Sequence, residues 1–239
     1  MEKSKEKMKT WKKVVLICLA VFFVACIALA IWQWNNIKAF YYFATIDSKE
    51  EIQQRITEQK IEREKIVSQY IDGTVRDFTE QEEKMITDGE MSVEEATQII
   101  QEEFEKSAEK SSSSSKNSSS KQKKEIDKFI ADNIIQLYSY KAYYLGQLGQ
   151  IEKSAKKDYV ALPAKDRTFV SKQAIVDKYL GTANALLIEC DGKVEAIMNS
   201  IEKKLKENGM DTSIVGQIKD SYEEEKALKK AYYMSLLKG

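Results

Sequence analysis

The fold is decided by one stretch, residues 121–160, which reads KQKKEIDKFIADNIIQLYSYKAYYLGQLGQIEKSAKKDYV. Apolar side chains return in it every seven residues, in two rows four residues apart, a spacing that places them on one face of an α-helix. The first row is Ile130, Leu137, Tyr144 and Ile151, and the second is Ile134, Leu148 and Ala155, interrupted by Lys141. The pattern predicts one long helix with an apolar seam that another helix must cover.

The same spacing continues after Leu162-Pro163, which breaks the first helix. The next rows are Val176, Ala183, Cys190 and Ile197, and Leu180, Leu187, Val194 and Ile201. Asn208-Gly209 ends this second helix, and a third begins at Asp211 or Thr212 and carries Ile214, Ile218, Tyr222, Leu228, Tyr232 and Leu236. Three consecutive amphipathic helices with short turns predict an elongated antiparallel three-helix bundle over residues 121–239. Because the third helix is shorter, one end should expose a two-helix seam where a partner helix docks.

The composition favours an all-α fold and argues against catalysis. The chain has nine glycines and one proline, too few to supply the turns of a β-rich fold. It has no histidine, the commonest metal ligand and general base near neutral pH, and no glycine-rich phosphate-binding loop. We therefore expect no enzyme, no catalytic residues, no metal site and no cofactor. The excess of basic residues after position 121 is too thin to indicate nucleic acid.

Residues 47–106 are predicted to form an acidic helical stalk and hairpin. Ser48, Thr79 and Ser92 each stand three residues before a glutamate, the pattern of a capping box at a helix start. Asp88-Gly89 should end the short helix that begins after Thr79. Residues 107–124 are rich in serine and nearly devoid of apolar side chains, which predicts a flexible linker.

The N-terminal region predicts a membrane anchor. Residues 14–34 contain an uncharged apolar run flanked by tryptophans, long enough to cross the hydrocarbon core of a bilayer. The lysine-rich tail, residues 1–13, should remain in the cytoplasm and place the rest of the chain outside the cell membrane. Two alternatives remain open, which are cleavage after Ala30 and lipidation of Cys26 in a loose lipobox. The composition suggests a bacterial origin.

Several single residues of the bundle also have predicted positions. Cys190 lies on the seam between Glu189 and Asp191 and is predicted to be a buried, unreactive side chain. Tyr144 and Tyr232 are predicted core residues, with the neighbouring tyrosines at the core edge. Gly146 and Gly149 favour close approach of another helix.

Together these features predict a single-pass membrane protein that acts as a structural or protein-interaction module. Its predicted partners are the bilayer, through residues 14–34, and a protein or a second copy, through the helical seams. The alternative is a sensor or a secretion or envelope accessory subunit whose bundle binds a peptide or small ligand.

Overall fold

The structure is a computed structural model that describes residues 34–111 and 118–235. Within these ranges it consists of seven α-helices and one short 3-10 helix, Ala164–Asp166, and it has no β-strand, so the all-α prediction is confirmed. The α-helices are α1 (Trp34–Thr45), α2 (Lys49–Ser68), α3 (Glu80–Asp88), α4 (Val93–Ser111), α5 (Ser118–Ala161), α6 (Phe169–Glu207) and α7 (Ser213–Ser235).

The predicted membrane segment, residues 14–34, lies outside the described residues except for Trp34, with which α1 begins. The basic tail, residues 1–13, lies outside them as well. Across residues 34–111 and 118–235, no helix has both the length and the apolar composition that a membrane crossing requires.

The helix boundaries follow the capping residues that the sequence contains. Thr79 accepts a hydrogen bond from the Glu82 amide, and the Glu82 side chain accepts one from the Thr79 amide, so the predicted capping box of α3 is confirmed. Ser92 and Glu95 make the same pair of bonds at the start of α4. Gly89 ends α3 with φ at 80°, a left-handed backbone conformation that glycine adopts without strain.

The chain divides into two compact units, and the larger consists of residues 58–222. In this unit α5 and α6 run antiparallel, because Tyr144 pairs with Glu189 while Asp158, further along α5, pairs with the earlier Lys178. The seam residues Ile130, Ile134, Leu137 and Ile201 are fully buried.

The core of the larger unit draws on helices from both sides of the serine-rich segment. Besides residues of α5, α6 and α7, it contains Ile66, Val67, Ile71, Val75, Phe78, Ile86, Ala96, Ile100 and Phe104. A bundle confined to residues 121–239 therefore omits about half of the elements that form this core. The segment predicted as an acidic stalk supplies the missing helices through these buried side chains, whereas its Ile61 and Ile99 are exposed.

Helix also occupies both ends of the predicted linker, residues 107–124. Helix α4 extends to Ser111 and α5 begins at Ser118, while residues 112–117 lie outside the described residues. Two contacts explain why α4 continues past Phe104. The Ser107 hydroxyl accepts a hydrogen bond from the Thr74 amide at 2.8 Å, and Ala108 packs against the core. Tertiary contacts thus outweigh the weak helix propensity of serine at the end of α4.

The described part of the smaller unit consists of residues 34–57 and 223–235. Its core contains Ile46, Ile52, Ile56, Leu228 and Ala231, with Tyr42, Phe43 and Tyr232 packed against it. Glu224 accepts hydrogen bonds from Lys38, at 2.8 Å, and from the Tyr42 hydroxyl. Burial, together with that contact to a carboxylate, raises the pKa of Tyr42 to about 12. Tyr232, which was predicted to be a core residue of the bundle, is only partly buried and packs against this smaller core.

Candidate functional site

The feature that distinguishes the larger unit is a two-helix segment without a covered core. We call residues 150–189 the arm, which comprises the end of α5, the connecting turn and the first half of α6. No residue of the arm is buried, although the structure describes all of them. Buried positions return at Cys190 and recur through Leu205. The arm is therefore the part of the helix pair in which no third helix buries a side chain.

The seam of the arm is only partly covered. Ile151, Ala155, Val176 and Ala183 are half-buried, and Leu180 is 49% exposed. Val176, Leu180 and Ala183 occupy the same heptad rows as the buried Cys190, Val194, Ile197 and Ile201, and Ile151 and Ala155 continue the rows of the buried Ile130 and Ile134. Each arm helix covers one side of the other's seam and leaves the remaining side in water. Such a seam is the kind of surface that an added helix covers in a bundle.

The turn that closes the arm is held by side-chain hydrogen bonds. The Arg167 guanidinium donates to the Val160 carbonyl at 2.6 Å and to the Leu162 carbonyl at 3.0 Å, two acceptors at the end of α5 that lack helical partners. Thr168 caps α6 in a capping box with Ser171. The ends of both helices are thus satisfied without help from outside the arm.

Three large apolar side chains lie exposed around this turn. Val160 is 62% exposed, Phe169 is 71% exposed and Val170 is 76% exposed. A single exposed apolar side chain is ordinary on a protein surface, whereas three around one hydrogen-bonded turn distinguish this end of the arm from the rest of it.

An ion pair between the two helices lies on the arm surface. Asp158 accepts hydrogen bonds from Lys178 at 2.6 Å and from the Tyr179 hydroxyl at 2.9 Å. The hydrogen bond from Lys178, then that from Tyr179, lowers the pKa of Asp158 below its ordinary value. This exposed pair fixes the register of the arm helices more than it stabilises them.

Helix α3 marks the inner limit of the arm. It approaches α5 so closely that a Cβ at Gly149 would lie 2.2 Å from Thr87 Cγ2, whereas one at Gly146 would meet Ile86 at 3.5 Å. Gln150 and Lys153 donate to the Thr87 carbonyl at 3.1 and 3.0 Å. The predicted close helix approach at these glycines is confirmed, most sharply at Gly149.

A buried ion network lies on the other side of this limit. Asp77 is 2% exposed and accepts hydrogen bonds from Lys141 and, at 2.9 Å, from Arg63, which is itself fully buried. The ring of Tyr138 lies beneath both cations, 5.8 Å from Arg63 Cζ and 5.4 Å from Lys141 Nζ. The network joins α2, α5 and the loop before α3.

Two further groups extend the network. Lys60 pairs with Glu83 at 2.8 Å and donates to the Phe78 carbonyl at 3.0 Å. Glu64 accepts a hydrogen bond from the Asp77 amide at 2.7 Å, and burial raises the pKa of Glu64 above its ordinary value. Because Arg63 and Asp77 are closed to solvent, a substrate cannot reach them. The arrangement is one that holds helices in place.

Cys190 lies where the arm meets the buried half of α6. It is 5% exposed, so its predicted burial is confirmed, and its Sγ lies 3.4 Å from the Tyr222 hydroxyl of α7. Tyr222 also donates to Asp191 at 3.2 Å. Burial, then the neighbouring Cys190 and Asp191, raises the pKa of Tyr222. This contact ties α7 to α6 at the last buried turn before the arm.

Within the described ranges there is no group of three or more acidic or cysteine side chains placed to hold a metal ion. No protein family model, no curated protein and no solved structure matches the chain.

The sequence indicated some of these features and missed others. Lys141 interrupts an apolar row, which signals a buried partner of opposite charge, but nothing in the spacing identifies Asp77 as that partner. Tyr138 was expected at the core edge and is fully buried. Phe169 and Val170 fall at the start of α6, where a heptad pattern does not distinguish exposed from covered positions.

Proposed function

We propose that this protein is a single-pass membrane protein whose domain outside the cell membrane is a structural and protein-interaction module without catalytic activity. The apolar run at residues 14–34 and the lysine-rich tail at residues 1–13 support the anchor and its orientation. The helical units then stand on the outer side, where they meet other proteins of the cell envelope.

The open seam of the arm is the observation that carries the interaction role. Ile151, Val176, Leu180 and Ala183 remain partly in water on a helix pair whose other half is fully covered. Burying such a seam under a partner helix removes apolar surface from water, and this removal drives association. We propose that an amphipathic helix of a partner protein, or of a second copy, occupies the arm in the way that α4 and α7 occupy the core.

Photocrosslinking in the native membrane tests this role. A crosslinking amino acid replaces Leu180 in the open seam, and in a matched variant it replaces Lys203, an exposed position on the buried half of α6. We expect a discrete crosslinked species from position 180 and none from position 203. Equal crosslinking from both positions, or none from either, would contradict a docking seam on the arm.

The orientation has its own test. A thiol introduced at Ser154, which is exposed on the arm, should react with a membrane-impermeant reagent on intact cells. Labelling that requires lysis would reverse the proposed topology while leaving the seam untouched.

A further inference from the structure

We propose that the end of the arm inserts into the surface of an anionic lipid bilayer. We call residues 156–172 the tip. The tip contains Val170, the most exposed large apolar side chain of the arm, together with the exposed Phe169 and Val160, and it carries a local positive charge. The proposal concerns the end of the hairpin, whereas protein docking concerns its open side, so the two do not depend on each other.

The apolar side chains of the tip lie exposed beside a turn that hydrogen bonds hold in place. Val160, Phe169 and Val170 are 62%, 71% and 76% exposed, and they flank a turn that Arg167 and the Thr168 capping box hold in place. Phe169 and Val170 belong to the first turn of α6, so no further residue of that helix extends beyond them. Exposed apolar side chains at the end of a helical hairpin fit a fluid surface that deforms around them.

The charge of the tip matches an anionic surface. It contains five basic residues, Lys156, Lys157, Lys165, Arg167 and Lys172, and two acidic ones, Asp158 and Asp166, which gives 5 − 2 = +3. Asp158 is in addition paired with Lys178, just outside the tip. In contrast, residues 47–110 hold nine basic and nineteen acidic side chains, a net of −10. The positive charge is therefore concentrated where the apolar side chains are exposed.

Apolar side chains surrounded by lysines are what interfacial membrane contact requires. The aliphatic stems of the lysines lie along the apolar boundary while their ammonium groups remain among the headgroups. Each basic residue close to an anionic leaflet strengthens partitioning about fivefold. An acidic groove on a protein would satisfy the same charges, and the experiment separates these two outcomes.

The test uses the full chain, with Cys18 and Cys26 replaced by alanine and a polarity-sensitive dye attached to Val170→Cys. Cys190 is buried and does not compete for the dye. The labelled chain is reconstituted into vesicles of phosphatidylcholine alone or mixed with phosphatidylglycerol, with nitroxide-labelled lipid as quencher. A matched chain carries the dye at Asn184→Cys, an exposed arm position away from the tip.

We expect the dye at position 170 to shift to the blue and to be quenched by nitroxide lipid only when phosphatidylglycerol is present. The dye at position 184 should respond to neither lipid. The double variant Lys157→Gln/Lys165→Gln should lower the equilibrium constant for insertion of the tip on the order of twentyfold, following the fivefold effect of each charge. Phe169→Ser should weaken it at constant charge, and both variants alter exposed side chains that the fold does not need.

A dye at position 170 that behaves like the one at position 184 in all vesicles would overturn the proposal. A blue shift that rises with protein concentration and ignores phosphatidylglycerol would overturn it in favour of a protein contact. Flotation of the vesicles at alkaline pH measures the anchor separately, so failure of the anchor is not mistaken for failure of the tip.

Discussion

Helices α5 and α6 contain two regions with the same heptad pattern and opposite surroundings. Around Ile130, Ile134 and Ile201 the seam is fully buried, and helices α2, α3, α4 and α7 contribute to its core. In the arm, residues 150–189, the rows continue through Ala155 on α5 and from Val176 on α6, and no residue is buried. A heptad repeat thus predicts that two helices pair, but it contains no information on what else covers them.

The ion pairs of the two regions differ in burial, as the apolar seams do. The covered half encloses Asp77 between Arg63 and Lys141, at a place where leaving one charge unpaired is costly. The arm carries Asp158 and Lys178 in water, where an ion pair contributes little. The covered half is therefore the part that specifies the fold, whereas the arm leaves its seam and its ion pair in contact with solvent.

The largest expected effect comes from removing the helices that cover the first region. A fragment of residues 121–239 should lose cooperative unfolding, because it lacks Phe78, Ile100 and Phe104 and exposes the seam they cover. A fragment of residues 46–235, which retains α2 to α7, should unfold cooperatively in a thermal scan followed by circular dichroism. Cooperative, native-like unfolding of residues 121–239 would show that the three helices form a core by themselves.

The two acidic residues provide the next comparison. Asp77→Ala leaves Arg63 and Lys141 buried without their shared carboxylate, so the free energy of unfolding should fall by about 3–5 kcal/mol. Asp158→Ala removes an exposed partner of Lys178 and should leave stability unchanged within error. Urea unfolding of both variants measures this, and equal losses would mean that the arm is as tightly packed as the core.

Apolar truncation on α6 compares the same two regions. Ile201 is fully buried, so Ile201→Ala should cost about 2–5 kcal/mol through lost burial and a cavity. Leu180 is 49% exposed in the arm, and Leu180→Ala should cost a small fraction of that amount. The urea midpoints of the two variants measure this difference. A large loss of stability in Leu180→Ala would show that the seam of the arm is covered.

Alanine substitutions at the two glycines at the limit of the arm should change stability by smaller amounts, and the two changes should have opposite signs. Gly149→Ala places a Cβ 2.2 Å from Thr87 Cγ2 and should destabilise by about 1–3 kcal/mol, because α3 must shift. Gly146→Ala meets Ile86 at 3.5 Å and should stabilise α5 by up to about 1 kcal/mol through helix propensity. Thermal midpoints that move in the same direction would contradict the close contact with α3.

The smallest expected effect is a pH dependence confined to the covered region. Because burial raises the pKa of Glu64 in the folded protein, the folded state holds that proton to a higher pH than the unfolded state. This carboxyl therefore contributes stability at low pH that is lost as pH rises from the unfolded pKa through the folded one. Glu64→Gln should flatten the fall in stability over this interval, in unfolding measured at a series of pH values. If the pH dependence of the unfolding free energy is the same in Glu64→Gln as in the parent chain, the Glu64 carboxyl is exposed to water and not buried.

The sequence was sufficient to predict most of the helices and many of the residues at which they begin or end. Capping residues such as Thr79 and Ser92 act through local hydrogen bonds, so their positions predict helix starts without knowledge of the fold. The seam rows likewise predicted the pairing of α5 with α6. Burial of Tyr144 and Cys190 followed from their place in those rows.

The participation of residues 58–111 in the core could not be predicted in the same way. The contacts of Phe78 and Asp77 with α5 connect positions more than fifty residues apart, and no local pattern encodes such a pairing. The apolar positions of this segment are sparse among its many acidic residues, so composition alone did not indicate that they form part of a core. The ends of α4 and α5 within the serine-rich segment depend on the same tertiary contacts, which composition does not reveal.

Hydrogen exchange of the full chain, followed residue by residue along α5 and α6, tests the central comparison most directly. We predict that amides of residues 126–144 and 190–205 open only with global unfolding, whereas those of the arm exchange orders of magnitude faster through local opening. Equal protection along the whole of both helices would contradict an arm that lacks a covering helix.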